Sequence, residues 1–262
     1  MGDYMFKIGD SVTRKSYNND IVFKIVAIDN DIYYLSGLDV RLCADAKEDD
    51  LIKCENYVNE ENELLNEVRK FNDFERNDYF YLPGKILHID ADEDYLKRCL
   101  KFYEELNIWA VGIVEKEETV VYKIRNLLEK YNPSIIVITG HDAYYKNGKK
   151  EDINSYKNSI NFVKAINEAR KYEKSHENLI IIAGACQSDY EELIKAGANF
   201  ASSPKRINIH ALDPAIIAAK MSLSPVDKEI DLKQILERTK YGKDGMGGVR
   251  TKGTMYTGYP RW

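Results

Sequence analysis

The sequence predicts an α/β protein: a mainly parallel sheet with helices on both faces, preceded by a small β-barrel. Three observations carry this. Between residues 84 and about 240, short apolar runs alternate with stretches of helical period. Some of those runs are unbroken, such as Ile135-Ile136-Val137-Ile138 and Leu179-Ile180-Ile181-Ile182. That is the pattern of strands buried on both faces. Before residue 57 the runs are shorter, rich in β-branched residues and separated by turn signals. The chain therefore divides into a barrel module (1–56), a helical bridge (57–83), an α/β domain (84–240) and a Gly-rich C-terminal segment (241–262).

In the first module, Phe6 to Val12 alternates apolar and polar residues, and Asn18-Asn19-Asp20 marks a turn. Ile21 to Ile28 and Ile32 to Leu35 form a strand pair around Asp29-Asn30-Asp31. Val40-Arg41-Leu42 and Leu51-Ile52-Lys53 close the sheet. The order of strands and turns resembles an SH3-like or Tudor-like barrel. Such a module either binds peptides or braces its neighbour, and no exposed aromatic cluster decides between these. In the bridge, Leu64, Leu65, Val68 and Phe71 fall on one helical face, and Leu82-Pro83-Gly84 ends it.

The α/β domain then runs in order. Lys85 to Asp90 is a strand, and Asp92 caps a helix reaching about Leu106. Trp109 to Val114 is the second strand. Val120 to Lys130 is a helix stopped by Asn132-Pro133. The strand at Ser134–Thr139 ends in Gly140-His141. A helix from about Asn154 to Tyr172 leads to the strand at Leu179–Ala183, which ends in Gly184-Ala185-Cys186. A helix follows from Asp189 to Lys195. Asn199–Ser202 and Ile207–His210 are further short strands, and Pro214 to Met221 is a helix. The Gly-rich segment from Gly242 to Gly253 is either a disordered tail or a loop folding over a cleft.

Composition narrows the function. Hydrophobic residues are 44% and charged residues 31%, with a formal charge of −5, so no global basic field points to nucleic acid. No apolar run approaches the roughly 18 residues of a membrane span, and Met1–Phe6 lacks the pattern of a secretory signal. The four cysteines, Cys43, Cys54, Cys99 and Cys186, include no CxxC pair, which suggests reduced thiols in a cytosolic compartment. No metal or other cofactor is expected.

In parallel sheets ligands bind beyond the carboxyl ends of the strands. His141 and Cys186 both lie at such ends, about 45 residues apart. A thiol at a strand–turn–helix junction beside a histidine is a nucleophile beside its base. Backbone N–H groups at the Gly140 turn and at Gln187 would supply an oxyanion hole. The plain alternatives are a core thiol and a turn-capping histidine. His210, which also ends an apolar stretch, is the rival base. His88, inside a strand, and His176, in a charged loop, have no assigned role. Cys43, Cys54 and Cys99 are read as structural.

The interval and the Ala-Cys after an apolar strand resemble the caspase-like clan in architecture, though here Gly140 precedes the histidine. That resemblance implies a caspase-like α/β/α sandwich. A closer one spans nearly the whole chain. Thr139-Gly140-His141-Asp142-Ala143, Ala183 to Ser188, Ala196 to Pro204 and Ile209 to Pro214 resemble the YabG family of sporulation-specific proteases. This resemblance implies a cysteine endopeptidase of the sporulating cell, cytoplasmic and associated with the developing spore coat. Its partners would be protein substrates of the coat and cortex, with no nucleic acid and no membrane. The family's histidine and cysteine fall on His141 and Cys186, and cleavage after arginine is implied. The arginine-binding acid is then sought near the strand ends at Asp142, Asp189 or Asp213, each of which can equally cap a helix or turn.

Three rivals stand beside this reading. A cysteine amidase acting on a small molecule would share the dyad. A non-enzymatic coat-assembly protein would use the barrel to bind. A phosphate-binding β/α barrel shares the motif Ala196–Pro204, but five or six strands are too few for it.

Overall fold

The structure, a computed structural model, describes residues 6–54, 57, 66 and 78–261. The expected helical bridge lies almost wholly outside them. The chain forms two compact units, residues 1–62 and 63–262.

The first unit is a five-stranded antiparallel sheet. Its strands are β1 (Ser11–Arg14), β2 (Phe23–Asp29), β3 (Ile32–Gly37), β4 (Cys43–Lys47) and β5 (Leu51–Lys53), in the order β4-β3-β2-β1-β5. Asn30 and Asp31 both take positive φ, at 45° and 66°, as a two-residue hairpin between β2 and β3 requires. Period-2 alternation sends Phe23, Ile25, Tyr33 and Leu35 inward to join Phe6, Val12, Ala46 and Leu51. The strand expected at Val40–Leu42 is a turn instead. Leu42 N donates to Val40 O and Gly37 N to Leu42 O, so β4 begins only at Cys43.

The second unit is built on a six-stranded sheet. Its strands are β7 (Ile86–Asp90), β8 (Ala110–Val114), β9 (Ile135–Thr139), β10 (Ile180–Ala183), β11 (Phe200–Ser202) and β12 (Met246–Gly248), in the order β12-β11-β10-β9-β7-β8. All neighbours are parallel except β12, which runs antiparallel to β11. A small ribbon pairs β6 (Phe80–Leu82) with β13 (Tyr256–Gly258).

Alternation along these strands divides the apolar side chains between two cores. On one face, Ile86, Ile135, Val137, Ile180 and Ile182 meet α1 (Glu93–Glu105) and α5 (Asp213–Ser222). On the other, Leu87, Ile89, Ile136, Ile138 and Ile181 meet α2 (Ile124–Tyr131) and α3 (Ser159–Tyr172). Both faces are covered, which is why the strands read as unbroken apolar runs. The short helix α4 (Tyr190–Lys195) follows β10, while α6 (Leu232–Leu236) and α7 (Gly242–Gly245) precede β12.

Two expectations change here. Ile207–His210 is no strand within the described pairings. Ser203 and Arg206 take positive φ, and Arg206 N donates to Ser203 O, so the chain turns back on itself. The Gly-rich segment is neither a tail nor a loop over a cleft, for it folds as α7 and the edge strand β12.

Strand order places the site. From β7 the chain passes outward to β8. It then returns to β9 on the other side of β7 and continues away through β10 and β11. The order therefore reverses between β7 and β9, and in open parallel sheets the carboxyl ends at such a reversal are where ligands bind.

Candidate active site

β9 and β10 are in register, with Ile135 opposite Ile180 and Ile138 opposite Ala183. Gly184 N still donates to Ile138 O, so the two strands end together, one leading into Gly140-His141 and the other into Ala185-Cys186. Gly184 has φ +104°, and a Cβ there would run into Ser202 Oγ and Leu193. Only glycine allows the chain to turn at that point.

Cys186 lies fully buried on the face shared with α1 and α5. Its Sγ accepts from Ile209 N at 3.3 Å and sits 3.8 Å from Ile209 O. The next residue, Gln187, takes φ 58°. Its N–H is shared between Ile207 O (3.0 Å) and Ser203 Oγ (2.9 Å), so this expected oxyanion donor is engaged by the chain itself. Its side chain accepts from Tyr144 N and donates to Asn208 Oδ1.

His141 opens the loop after β9, with its side chain 26% exposed. Its backbone N–H donates to Glu117 Oε1 at 2.6 Å. A Cβ on Gly140 would strike the same carboxylate, so glycine is what lets Glu117 approach. The ring Nε2 lies 3.3 Å from Asp92 Oδ2, and the Tyr95 ring stands edge-on at 6.0 Å. Burial pushes the Asp92 carboxyl up, but hydrogen bonds from His141 and the Tyr95 amide, with the His141 charge, bring it below its ordinary value.

A polar network runs beneath this pair. His88 bridges Tyr103 OH (2.9 Å) and Thr139 Oγ1 (3.0 Å). Thr139 donates to Asp90 Oδ2, and Asp90 Oδ1 accepts from Asp92 N. His88, which had no assigned role, thus joins β7, β9 and α1 beneath the Asp92–His141 pair.

The three acids expected near the strand ends differ in their surroundings. Asp142 accepts from Ala143 N, Asn158 N, Ser159 Oγ and Ser188 Oγ, and burial raises its pKa. Asp213 accepts from His210 N and Lys240 N, and His210 Nδ1 accepts from Leu212 N in the turn leading into α5. Asp189 caps α4 and meets a guanidinium, that of Arg206, at 3.2 Å. Arg206 also reaches Glu191 and Tyr156 OH. Of the remaining cysteines, Cys43 is exposed, Cys54 half-buried and Cys99 buried. His176 lies beside Arg170.

Sequence reading missed Asp92 as a partner of His141, and it missed Glu117 and Arg206 altogether. Asp92 carried only a local signal, that of a helix cap just past the carboxyl end of a buried strand.

The family model described as YabG peptidase U57 matches residues 7–260, through both units. The chain belongs to the YabG peptidase family. It is 42% identical to the sporulation-specific protease YabG of Bacillus subtilis (strain 168), over 97% of this chain and 98% of that protein. The resemblance carried by the Gly-His and Ala-Cys motifs therefore extends along nearly the whole sequence, and family membership supports a peptidase role in sporulation. Among the described residues, no helix is long and apolar enough to cross a membrane.

Proposed function

We propose that this YabG-family chain is a cysteine endopeptidase working through a Cys186–His141 dyad. The observation that carries this is the common end of β9 and β10, which sets residues 141 and 186 at one edge of the sheet. His141 takes the thiol proton, and the thiolate attacks a peptide carbonyl. Amides of the Gly140 turn and of Gln187 hold the oxyanion. The imidazolium protonates the leaving amine, and water then releases the acyl-enzyme. Because Cys186 is fully buried and bonded to Ile209, catalysis requires the Ile207–Ile209 stretch to give way. That movement also releases the Gln187 amide from Ile207 O, leaving Ser203 Oγ for the oxyanion to displace.

A caspase-like plan for the second unit is supported by its parallel core strands and antiparallel edge strand. An SH3-like barrel is the corresponding reading of the first unit. Cleavage after arginine is supported by Asp189, whose side chain is 2% exposed and already holds a guanidinium. A substrate arginine would compete with Arg206 for that carboxylate. The substrates proposed are proteins of the spore coat and cortex, met in the sporulating cell at the developing coat.

Gel analysis of coat proteins incubated with wild type, Cys186→Ala and His141→Ala tests the dyad. Both variants should leave the substrates intact, and His210→Ala should cleave them. Near-normal cleavage by either dyad variant removes the proposal, and a loss confined to His210→Ala transfers the base to His210.

A further inference from the structure

We infer that Asp92 is a positioning residue for His141, the third member of a Cys186–His141–Asp92 arrangement. The inference rests on the dyad reading above and adds a residue to it.

The two carboxylate oxygens of Asp92 divide their work. Oδ1 accepts from both Asp94 N (2.9 Å) and Tyr95 N (3.0 Å), capping α1. Oδ2 faces His141 Nε2 at 3.3 Å. A residue present only as a helix cap needs the first set of bonds and not the second. The backbone of Asp92 is fixed as well, since its N–H donates to Asp90 Oδ1, and Asp90 is tied through Thr139 to β9. The carboxylate is thus held from below by the network and from one side by the helix N-terminus.

Topology gives the pair its meaning. Asp92 leaves β7 and His141 leaves β9, the two strands between which the order reverses. The hydrogen bond joins the carboxyl ends of these two strands. Among the described contacts, the charged and titratable groups facing His141 include Asp92 and Tyr95 from the start of α1 and Glu117 from the loop after β8. Glu117 takes the backbone amide of residue 141, whereas Asp92 meets the ring itself.

A carboxylate on Nε2 places the imidazole proton there and leaves the Nδ1 lone pair to take the proton of a thiol. It also stabilises the imidazolium formed as the thiolate forms, and it remains an anion throughout. The helix N-terminus helps to keep Asp92 ionised for this work. The Tyr95 ring, edge-on to the imidazole, limits rotation out of this pose.

Asp92→Asn is the informative substitution. Asn caps a helix as well as Asp does, so α1 should keep its N-terminus. Its amide nitrogen would face Nε2 as a donor and favour the wrong tautomer. On a reporter peptide cleaved by the wild-type chain, kcat should fall by about 100-fold or more while KM changes little. The limb of the pH–rate profile that reports His141 should move to lower pH, because loss of a neighbouring anion weakens the imidazolium. Alkylation of Cys186 by iodoacetamide at neutral pH should slow in parallel. Asp92→Ser, which also caps, gives the same comparison should the Asn variant fold poorly. Wild-type kcat and an unmoved pH limb in a folded Asp92 variant, with His141→Ala inactive, would reduce Asp92 to a helix cap and overturn the inference alone. Activity retained in His141→Ala would overturn the dyad, and this inference with it.

Discussion

Asp142 illustrates how an acidic residue beside a candidate site can carry a dense structural role. Its four donors come from its own loop, from the start of α3 and from Ser188 after β10. Asp142→Ala leaves those buried donors without an acceptor and should cost roughly 3 kcal/mol, read from urea unfolding. Asp142→Asn keeps one acceptor and should cost less. A variant as stable as wild type would contradict this role. Asp92 has the opposite electrostatic signature. Its carboxyl is lowered in the folded chain from an ordinary 3.8, so the unfolded chain takes up the proton first. The stability it contributes is therefore complete above its ordinary value and lost as pH falls through the lowered one. Asp92→Asn should flatten that acid-side slope in pH-dependent melting. An unchanged slope would mean that the His141 contact contributes nothing to folding.

At the scale of elements, the C-terminal strand is the informative case. β12 pairs with β11 through Phe200 opposite Gly248 and Ser202 opposite Met246. A Cβ at Gly247 would meet the Tyr190 ring and one at Gly248 the Phe200 ring, so the glycines let the strand lie close against the sheet. Truncation after Tyr241 would strip this strand and bare the edge of β11. It should give aggregation or a strongly lowered melting temperature, because an unpaired apolar edge is a template for association. A disordered tail could be removed without effect, so a truncated chain that stays soluble and melts normally would refute the strand's structural role.

At the scale of the molecule, each unit carries its own apolar core. Residues 63–262 expressed alone should fold and melt cooperatively, with cleavage of a short peptide retained. Cleavage of a large coat protein should fall if the first unit docks substrate. Equal loss on both substrates would assign the first unit a bracing role. A fragment that never folds would show that the second core is insufficient by itself.

Much of this was legible in residue order, because burial imposes periodicity. The runs at Ile135–Thr139 and Ile180–Ala183 announced strands covered on both faces, and the Gly-His and Ala-Cys that follow them marked the strand ends where a site was proposed. Asp92 as the cap of α1 was legible too, since a cap is a local contact. What lay outside the sequence depends on which strands become neighbours. The reversal of strand order between β7 and β9 brings Asp92 to His141 across 49 residues. The return of the chain at Ser203–Arg206 sets Ile209 on Cys186 and Arg206 on Asp189. Local propensity settles the conformation of a segment from its own residues. Contacts between distant segments are settled only when the cores close around them, and there tertiary structure made one aspartate a partner of the candidate base and another the core of a turn.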